Sequence, residues 1–340
     1  MLSAPSLAVR TRSNESGAQF SIVFRIGVND RQLLRSLACE RTAFALSFHG
    51  ALARLLMEKT KTTSQRPKLS ELGIDLLRLT RWQQSRAVAL PFLSFFAYWV
   101  FALTGHWVPA VASLMVLSFT TYGSTSHDLV HGNLGLTGAA NDILLSIMEA
   151  ISLRSGHAYQ AAHLNHHARF PDEDDIEAAA SRMSLARAML EGLVFQFRTY
   201  RWALRNPRGK RYWIIGEGVA VLALLTASLV AIPFSIIPAV YTVLMIGGSW
   251  TIPLITAYVP HDPHGKDELH RTRAFRGPIA RIVACDHLYH LEHHLYPAVP
   301  HQNWPRLARR LDPWLASAGI ESVRIRWRAA RDGKAACRNT

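Results

Sequence analysis

Residues 285–305 read CDHLYHLEHHLYPAVPHQNWP, and this stretch holds three closely spaced histidines. His290, His293 and His294 stand at positions i, i+3 and i+4, which share one face of an α-helix. Three imidazoles directed into one small volume each need hydrogen-bond partners, and an apolar core offers none. A metal ion would satisfy them. The stretch therefore predicts a metal site if the rest of the chain supplies further ligands.

Two further clusters and one isolated histidine match this expectation. HDLVH carries an i, i+4 pair, HLNHH repeats the i, i+3, i+4 spacing, and YVPHDPH contributes one more histidine. The nine candidate ligands are His127, His131, His163, His166, His167, His261, His290, His293 and His294. Because one metal ion takes roughly four to six ligands, nine imidazoles imply two metal ions. Imidazole suits zinc, copper, iron and nickel.

The apolar residues of this 340-residue chain are concentrated in two long blocks. Residues 87–126 contain no Asp, Glu, Lys or Arg, and residues 212–260 contain only Glu217. As a helix, each block would be about two hydrocarbon thicknesses long, and each has a Gly or Pro break near its centre. We therefore predict an all-α integral membrane protein with four transmembrane helices in two hairpins, at 87–104, 108–124, 214–232 and 236–257. Glu217 would lie in the first turn of its span and reach the headgroup region.

Basic residues predict the orientation in the membrane. The turns at 105–107 and 232–235 contain no Lys or Arg, whereas the other three flanks are rich in both. The positive-inside rule then places the N-terminus, the central segment and the C-terminal region in the cytoplasm, as in a multi-pass protein of the inner, cytoplasmic membrane. The net charge of +14 is explained by basic residues that contact an anionic membrane surface. Nucleic-acid binding is the weaker explanation, because no known binding motif accompanies the basic residues. The histidine clusters converge on the same cytoplasmic face.

The same pattern divides the chain into four regions. Residues 1–60 form a poorly defined N-terminal extension without the continuous apolar region of a secretory signal, and Met57 is an alternative translation start. Residues 61–86 form a basic cytosolic lead-in, 87–315 the membrane catalytic domain, and 316–340 a basic C-terminal tail. The three cysteines are odd in number and far apart, which argues against a disulfide framework or a cysteine-based metal site.

HDLVH, HLNHH and HLEHH resemble the three histidine boxes of the membrane fatty acid desaturase/hydroxylase superfamily, which includes carotenoid hydroxylases and ketolases. The resemblance covers about residues 85–315 and implies a cytosolic helical cap that holds a di-iron site with two Fe²⁺ ions. It also implies that the eight box histidines are iron ligands. His261 matches an additional ligand before the third box, with His264 and His287 as competitors for that role. An Asn that holds a water in some members is replaced by Ala257 here.

The resemblance implies an O2-dependent oxidoreductase that acts on C–H bonds of a long apolar lipid. We expect a fatty acyl desaturase, and the alternative is a carotenoid hydroxylase or ketolase of the beta-carotene type, because the boxes do not distinguish these outcomes. A non-enzymatic membrane metal-binding protein is a third hypothesis. It would place ionisable ligands near the middle of the bilayer, where these spans have almost none.

Four acidic residues flank the candidate ligands: Asp128, Asp262, Asp286 and Glu292. Because metal-bound histidines usually donate their other N–H to a carboxylate or carbonyl, we expect some of the four to accept such bonds. Solvent-facing helix charges are the alternative. The acidic run at 172–177 could suggest a cation site, but we expect it to begin a helix, where negative charge suits the helix dipole.

The electrons for this chemistry would come from an external donor of the ferredoxin or cytochrome b5 type, since no fused haem domain is visible. We expect an acidic carrier to dock on the basic cytoplasmic face. Arg271, Arg273, Arg276 and Arg281 are candidate contacts, and binding to anionic lipid is the alternative for them.

Overall fold

The computed structural model describes residues 65–282 and 286–325. The predicted extension at 1–60 lies outside these residues, as do most of the tail at 316–340 and all three cysteines. The described part is mostly helical, and its two short strands pair in parallel, with Phe275 opposite Val323. The domain boundaries predicted from the sequence stay predictions.

The elements are numbered in chain order within the described residues. The α-helices are α1 Leu69–Leu72, α2 Arg81–Leu103, α3 Trp107–Thr120, α4 Ser126–His131, α5 Gly138–Ile151, α6 Gly156–Arg169, α7 Leu185–Glu191, α8 Phe195–Arg205, α9 Arg211–Val230, α10 Ile237–Trp250, α11 Pro278–Ile282, α12 His290–Leu295 and α13 Trp304–Ser317. Single π-helical turns lie at Thr121–Thr125 and Leu254–Tyr258. Short 3₁₀ helices lie at Ile74–Leu77, Glu177–Arg182 and His301–Asn303. The strands are β1 Phe275–Arg276 and β2 Val323–Arg324.

The first helical hairpin begins and turns where local chemistry directs it. At the start of α2, Thr80 Oγ1 accepts a hydrogen bond from the Gln83 backbone N–H at 3.2 Å, and Gln83 Oε1 accepts one from the Thr80 N–H at 2.9 Å. This reciprocal capping satisfies two amides that the helix itself leaves free. After α2, Gly105 adopts φ 78°, a left-handed conformation that glycine tolerates without strain. Helix α3 then packs against α2.

Three helical segments of the described residues are long and apolar enough to cross a membrane: Ile74–Leu103, Arg211–Val230 and Ile237–Tyr258. The prediction of a helical membrane protein is therefore confirmed. The span predicted at 108–124 is not one of these three segments, and it corresponds to most of α3, which has 14 residues, and of the π-helical turn that follows. The chain continues from α3 through the π-helical turn at Thr121–Thr125 into α4. The count of four spans stays a prediction.

Large apolar side chains on these segments face outward. Leu93 is 64% exposed, Leu222 64%, Leu229 67% and Val243 67%. An apolar surface of this extent is unfavourable in water, and lipid is the solvent that suits it. Helices α4, α6 and α12 carry the histidine boxes, and together with α5, α7, α8, α11 and α13 they are called the cap helices below. Their place on the cytosolic side stays a prediction.

Glu217 joins α9 to the cap helices. It is 3% exposed, and its carboxylate accepts hydrogen bonds from the Ser155 hydroxyl at 2.6 Å, the His157 backbone N–H at 3.1 Å and His157 Nδ1 at 2.6 Å. The expectation that Glu217 reaches the lipid headgroups is therefore wrong. Its carboxylate instead binds the N-terminal end of α6, where free amides and the helix dipole favour a negative charge.

Arg154 forms a second connection between the candidate spans and the cap helices. Its guanidinium pairs with Glu149 at 2.6 Å and donates to the Thr121 hydroxyl at 2.8 Å and the Ser249 hydroxyl at 3.1 Å. All the groups are buried, and a buried ion pair is favourable only when its donors are satisfied in this way. The network connects α5 with the turn after α3 and with α10.

The hairpin arrangement predicts which residues a membrane-impermeant thiol reagent reaches from each side. In a cysteine-free background, Phe234→Cys, in the turn between α9 and α10, should react only from outside an intact cell. Glu173→Cys, on the cap side, should react only after the cell is opened, because the basic flanks stay in the cytoplasm. Equal labelling of the two from outside would reject the predicted topology.

Candidate metal centre

The structure gathers the candidate histidines into two quartets. The first quartet is His127, His131, His163 and His293, and the second is His166, His261, His290 and His294. Within each quartet the potential ligand atoms all lie within 4.8 Å of one another. The ninth candidate, His167, has its Nε2 at 2.6 Å from His293 Nε2 and its ring centroid 4.7 Å from that of His294. All nine histidines named from the sequence therefore lie together, and their role as ligands stays a prediction.

Helix geometry explains why boxes two and three contribute to both quartets. A helix turns by about 100° per residue, so residues i and i+4 lie about 40° apart and residue i+3 lies on the other side of residue i. His290 and His294, four apart, share the second quartet, while His293 enters the first. His163 and His166, three apart, are divided in the same way. The i, i+3, i+4 spacing thus serves two adjacent sites.

The distances and the unpartnered atoms fit metal ions. The Nε2 atoms are 3.1 Å apart in His127 and His293, and 3.0 Å apart in His261 and His294. Ligands at about 2.1 Å from a shared metal are separated by roughly 3.0–3.4 Å. Nε2 of His131 is buried without a hydrogen-bond partner among the described residues. Without a cation, the lone pairs of these closely packed imidazole rings would face one another, buried and without a hydrogen-bond partner.

Two buried carboxylates hold the far sides of box-two histidines. Asp175 Oδ2 is 2.7 Å from His166 Nδ1, and the Glu177 carboxylate is 3.0 Å from His163 Nδ1. A carboxylate in this position fixes the imidazole tautomer so that Nε2 is free to bind a metal. Burial and the nearby Asp175 raise the pKa of Glu177 well above its ordinary value. A bound cation would offset the cost of burying these negative charges.

This role of Asp175 and Glu177 was not predicted from the sequence. The run 172–177 was expected to begin a helix, and Asp175 does so, because its Oδ1 accepts the backbone N–H groups of Glu177 and Ala178 at 3.1 and 3.2 Å, at the start of the 3₁₀ helix. The other oxygen of the same carboxylate is the one that reaches His166. The apolar Ile176 between the two acids, with three alanines after them, was the available indication that this part of the run is buried.

The four acidic residues named from the sequence have other partners. Asp128 accepts from His301 Nδ1 at 2.5 Å, Glu292 pairs with Arg276 at 2.6 Å, and Asp286 lies 3.5 Å from Arg281. The fourth, Asp262, accepts a backbone N–H within its own loop. Among the described residues, none of the four is hydrogen-bonded to a box histidine, in contrast to the prediction. Sequence proximity to a ligand on a helix places a side chain beside it, not behind it.

The competitors for the ninth position differ in location. His264 is exposed and takes no part in either quartet. His287 is buried, with its ring centroid 4.7 Å from that of His290, and its Nδ1 is 3.3 Å from the Gly123 carbonyl oxygen. His261 alone of the three joins a quartet, and its Nδ1 donates to the Ala257 carbonyl at 3.1 Å.

An apolar cavity of 460 Å³ lies between α3 and α10 and reaches His287. Helices α3 and α10 and the π-helical turns form its walls, and we call it the α3–α10 groove. It is lined by Val111, Leu114, Met115, Ser118, Phe119, Tyr122, Gly123, Val243, Leu244, Gly247, Gly248, Thr251, Ile252, Ile255, Thr256 and His287. Met115 and Val243 are 57% and 67% exposed, so one side of the groove faces lipid. His287 lines the groove and also contacts His290.

A family model described as Fatty acid desaturase matches residues 104–323, which include all three histidine boxes. The chain belongs to the fatty acid desaturase family. A search of curated proteins found no match. Family membership confirms the resemblance noted in the sequence and supports an oxidoreductase that acts on lipids. The histidine quartets fit the metal-dependent chemistry of this desaturase family.

Four of the candidate ligands are in the protonation state that binds metal. Burial lowers the pKa of His131 to about 4, and it lowers the pKa of His127, His293 and His294 well below the ordinary value. Neighbouring imidazoles lower the last three further, because two cationic rings at this distance repel each other. These four rings are therefore neutral at pH 7, the form that binds metal.

Replacement of Asp175 tests the role of the carboxylates. Asp175→Asn keeps an oxygen to cap the 3₁₀ helix but loses the carboxylate that accepts from His166. We expect a roughly 10–100-fold loss of metal affinity. The adjacent Asp174→Asn is the matched control, since Asp174 is exposed and pairs with Arg169 at the surface. Anaerobic metal titration against a competing chelator measures both. Equal affinities in the two variants would reject the assigned role.

Proposed function

We propose that the chain is an O2-dependent di-iron oxidoreductase that acts on C–H bonds of a long apolar lipid, with fatty acyl desaturation as its reaction. The observation that supports this most strongly is the α3–α10 groove, which has exposed apolar side chains on one side and ends at His287, whose ring centroid is 4.7 Å from that of His290 in the second quartet. An apolar chain that enters from the bilayer gains burial along the groove and brings a methylene group toward the metal site.

The quartets, with His167 between them, would hold two iron ions. Iron bound there would supply the oxidising power, with O2, that breaks an unactivated C–H bond. The chain's own residues bind and orient: the groove fixes the substrate chain, and the tightly packed Trp304 closes the side next to His127 and His293, at 5.2 and 4.9 Å between ring centroids. Asp175 holds the ring of His166 in the tautomer that binds metal.

Electrons would come from an external ferredoxin or cytochrome b5 type carrier on the cytoplasmic side. Two of the arginines named for its docking are already engaged. Arg276 is 9% exposed and pairs with two carboxylates at 2.6 and 2.7 Å, and Arg273 donates to a backbone carbonyl at 2.7 Å. Arg271 and Arg281 remain candidates for the contact, which charge complementarity would steer.

Isotope labelling separates the candidate reactions. Iron-loaded protein in lipid membranes, with reduced ferredoxin and ¹⁸O2, is given a perdeuterated saturated acyl lipid or beta-carotene. The proposal predicts an acyl product that has lost two deuterons and contains no ¹⁸O. Incorporation of ¹⁸O into the acyl chain, or oxidation of beta-carotene alone, would assign the chain to hydroxylation or ketolation. No turnover of either substrate would favour a metal-binding protein without this activity.

The same assay tests the groove as the path of the substrate. Gly247 and Gly216 are helical glycines where an added Cβ meets nothing within 4 Å, and only Gly247 lines the α3–α10 groove. Gly247→Leu should fill the groove and lower turnover of a long acyl chain by about tenfold or more, a change of ~1.4 kcal/mol. Gly216→Leu should leave it unchanged, with equal iron content in both. Unaltered turnover in Gly247→Leu would place the substrate elsewhere.

A further inference from the structure

A second cavity, of 310 Å³, lies on another side of the helix bundle. The start of α6, helix α8 and the middle of α9 enclose it, and we call it the α6–α8–α9 pocket. Its lining residues are Leu153, Arg154, Ser155, Ala158, Gln196, Phe197, Thr199, Tyr200, Gly218, Val221, Leu222 and Leu225. None of them also lines the α3–α10 groove. The volume is at the lower end of the roughly 300–1,000 Å³ found for small-molecule sites.

The pocket has one apolar and one polar wall. Val221, Leu222 and Leu225 of α9 form the apolar wall, and Leu222 is 64% exposed on a helix long and apolar enough to span the membrane. The polar side chains come from the start of α6 and from α8. The pocket thus has an apolar side next to α9 and a polar side next to the cap helices. This distribution matches a ligand with an apolar chain and a polar end.

Two polar groups of this wall lack a partner. Thr199 is 2% exposed, and neither its hydroxyl nor the side-chain N–H group of Gln196 has a hydrogen-bond partner among the described residues. Buried polar groups in folded proteins are rarely left unsatisfied, so each calls for an acceptor or donor from outside the chain. Both belong to α8 and both line the same cavity.

The charges around the pocket argue for an uncharged ligand group. Arg154 is the cation of the wall, and the carboxylate of Glu149 pairs with it at 2.6 Å. The Ser155 hydroxyl is used by Glu217. The buried groups of the pocket that remain without a hydrogen-bond partner among the described residues are therefore the amide N–H of Gln196 and the hydroxyl of Thr199. These neutral donors match a carbonyl oxygen better than a phosphate.

We propose that the α6–α8–α9 pocket binds a lipid of the surrounding bilayer, with an acyl chain along α9 and its ester carbonyl at Gln196 and Thr199. The occupant would contact Ser155, the residue that caps α6, and so support the start of the helix that carries HLNHH. This site is separate from the groove assigned to the substrate. Its test does not depend on catalytic activity.

Photolabelling of the full-length protein in lipid nanodiscs tests the site. The probe is a phosphatidylcholine with a diazirine in one acyl chain next to its ester group, and the readout is label on the α8 peptide that contains residues 196–200. Leu222→Trp should fill the pocket and lower this label about tenfold, which is ~1.4 kcal/mol of binding. Leu229→Trp is the matched control, because Leu229 is 67% exposed on the same helix and does not line the pocket. Unchanged label in Leu222→Trp would overturn the proposal.

Thr199→Val tests the polar contact by the direction in which the melting temperature changes. If no ligand meets the hydroxyl, removal of a buried unpaired group should raise the melting temperature or leave it unaltered, and leave the label unaltered. The proposal predicts the opposite: a lower melting temperature in nanodiscs and about tenfold less label from the phosphatidylcholine probe. A diazirine alkane without oxygen should be insensitive to Thr199→Val and sensitive to Leu222→Trp. Stronger labelling by a diazirine fatty alcohol than by the phosphatidylcholine would assign the site to a free alcohol and reject a bilayer lipid.

Discussion

The need of buried imidazoles for partners is the constraint on which the rest of this structure depends. Nine histidines form one buried cluster of neighbouring rings, and burial lowers the pKa of eight of them. A neutral ring has one donor and one lone pair, and rings that face each other cannot all be satisfied. Metal ions would resolve this, and carboxylates behind the rings would fix which nitrogen faces the metal. Helices α4, α6 and α12 must then meet at a fixed distance, which the surrounding fold has to maintain.

Connections between the candidate spans and the cap helices maintain that distance. Glu217 on α9 binds the start of α6, and Arg154 connects α5 with the turn after α3 and with α10. Each is a buried charge with its partners in place, so removal of either partner would leave a charge unpaired in a low-dielectric region. The same helices form the walls of the groove and of the second pocket. The proposed lipid sites and the proposed metal site are therefore supported by the same contacts.

Much of this arrangement could be predicted from the sequence, because the relevant patterns are local. The spacing in HLNHH and HLEHH places ligands on one side of a helix, and uncharged blocks of 40 or more residues predict membrane segments. The partners behind the ligands could not be predicted in the same way. Asp128 is adjacent to His127 in sequence but points to His301, whereas Asp175 reaches His166 after a turn of the chain. Glu217 looked like an interfacial charge because its partner, His157, is 60 residues away. Side-chain direction and long-range pairing decide such contacts, and neither is encoded in a short motif.

We propose that two adjacent histidine quartets each hold an iron ion. Anaerobic titration of the metal-free, full-length protein with Fe²⁺, followed by elemental analysis after removal of free metal, tests this proposal. We expect saturation at two iron ions per chain, and a single remaining tightly bound ion when His261, which belongs to the second quartet only, is replaced by alanine. Saturation at one ion per chain, or retention of zinc with iron excluded, would contradict it.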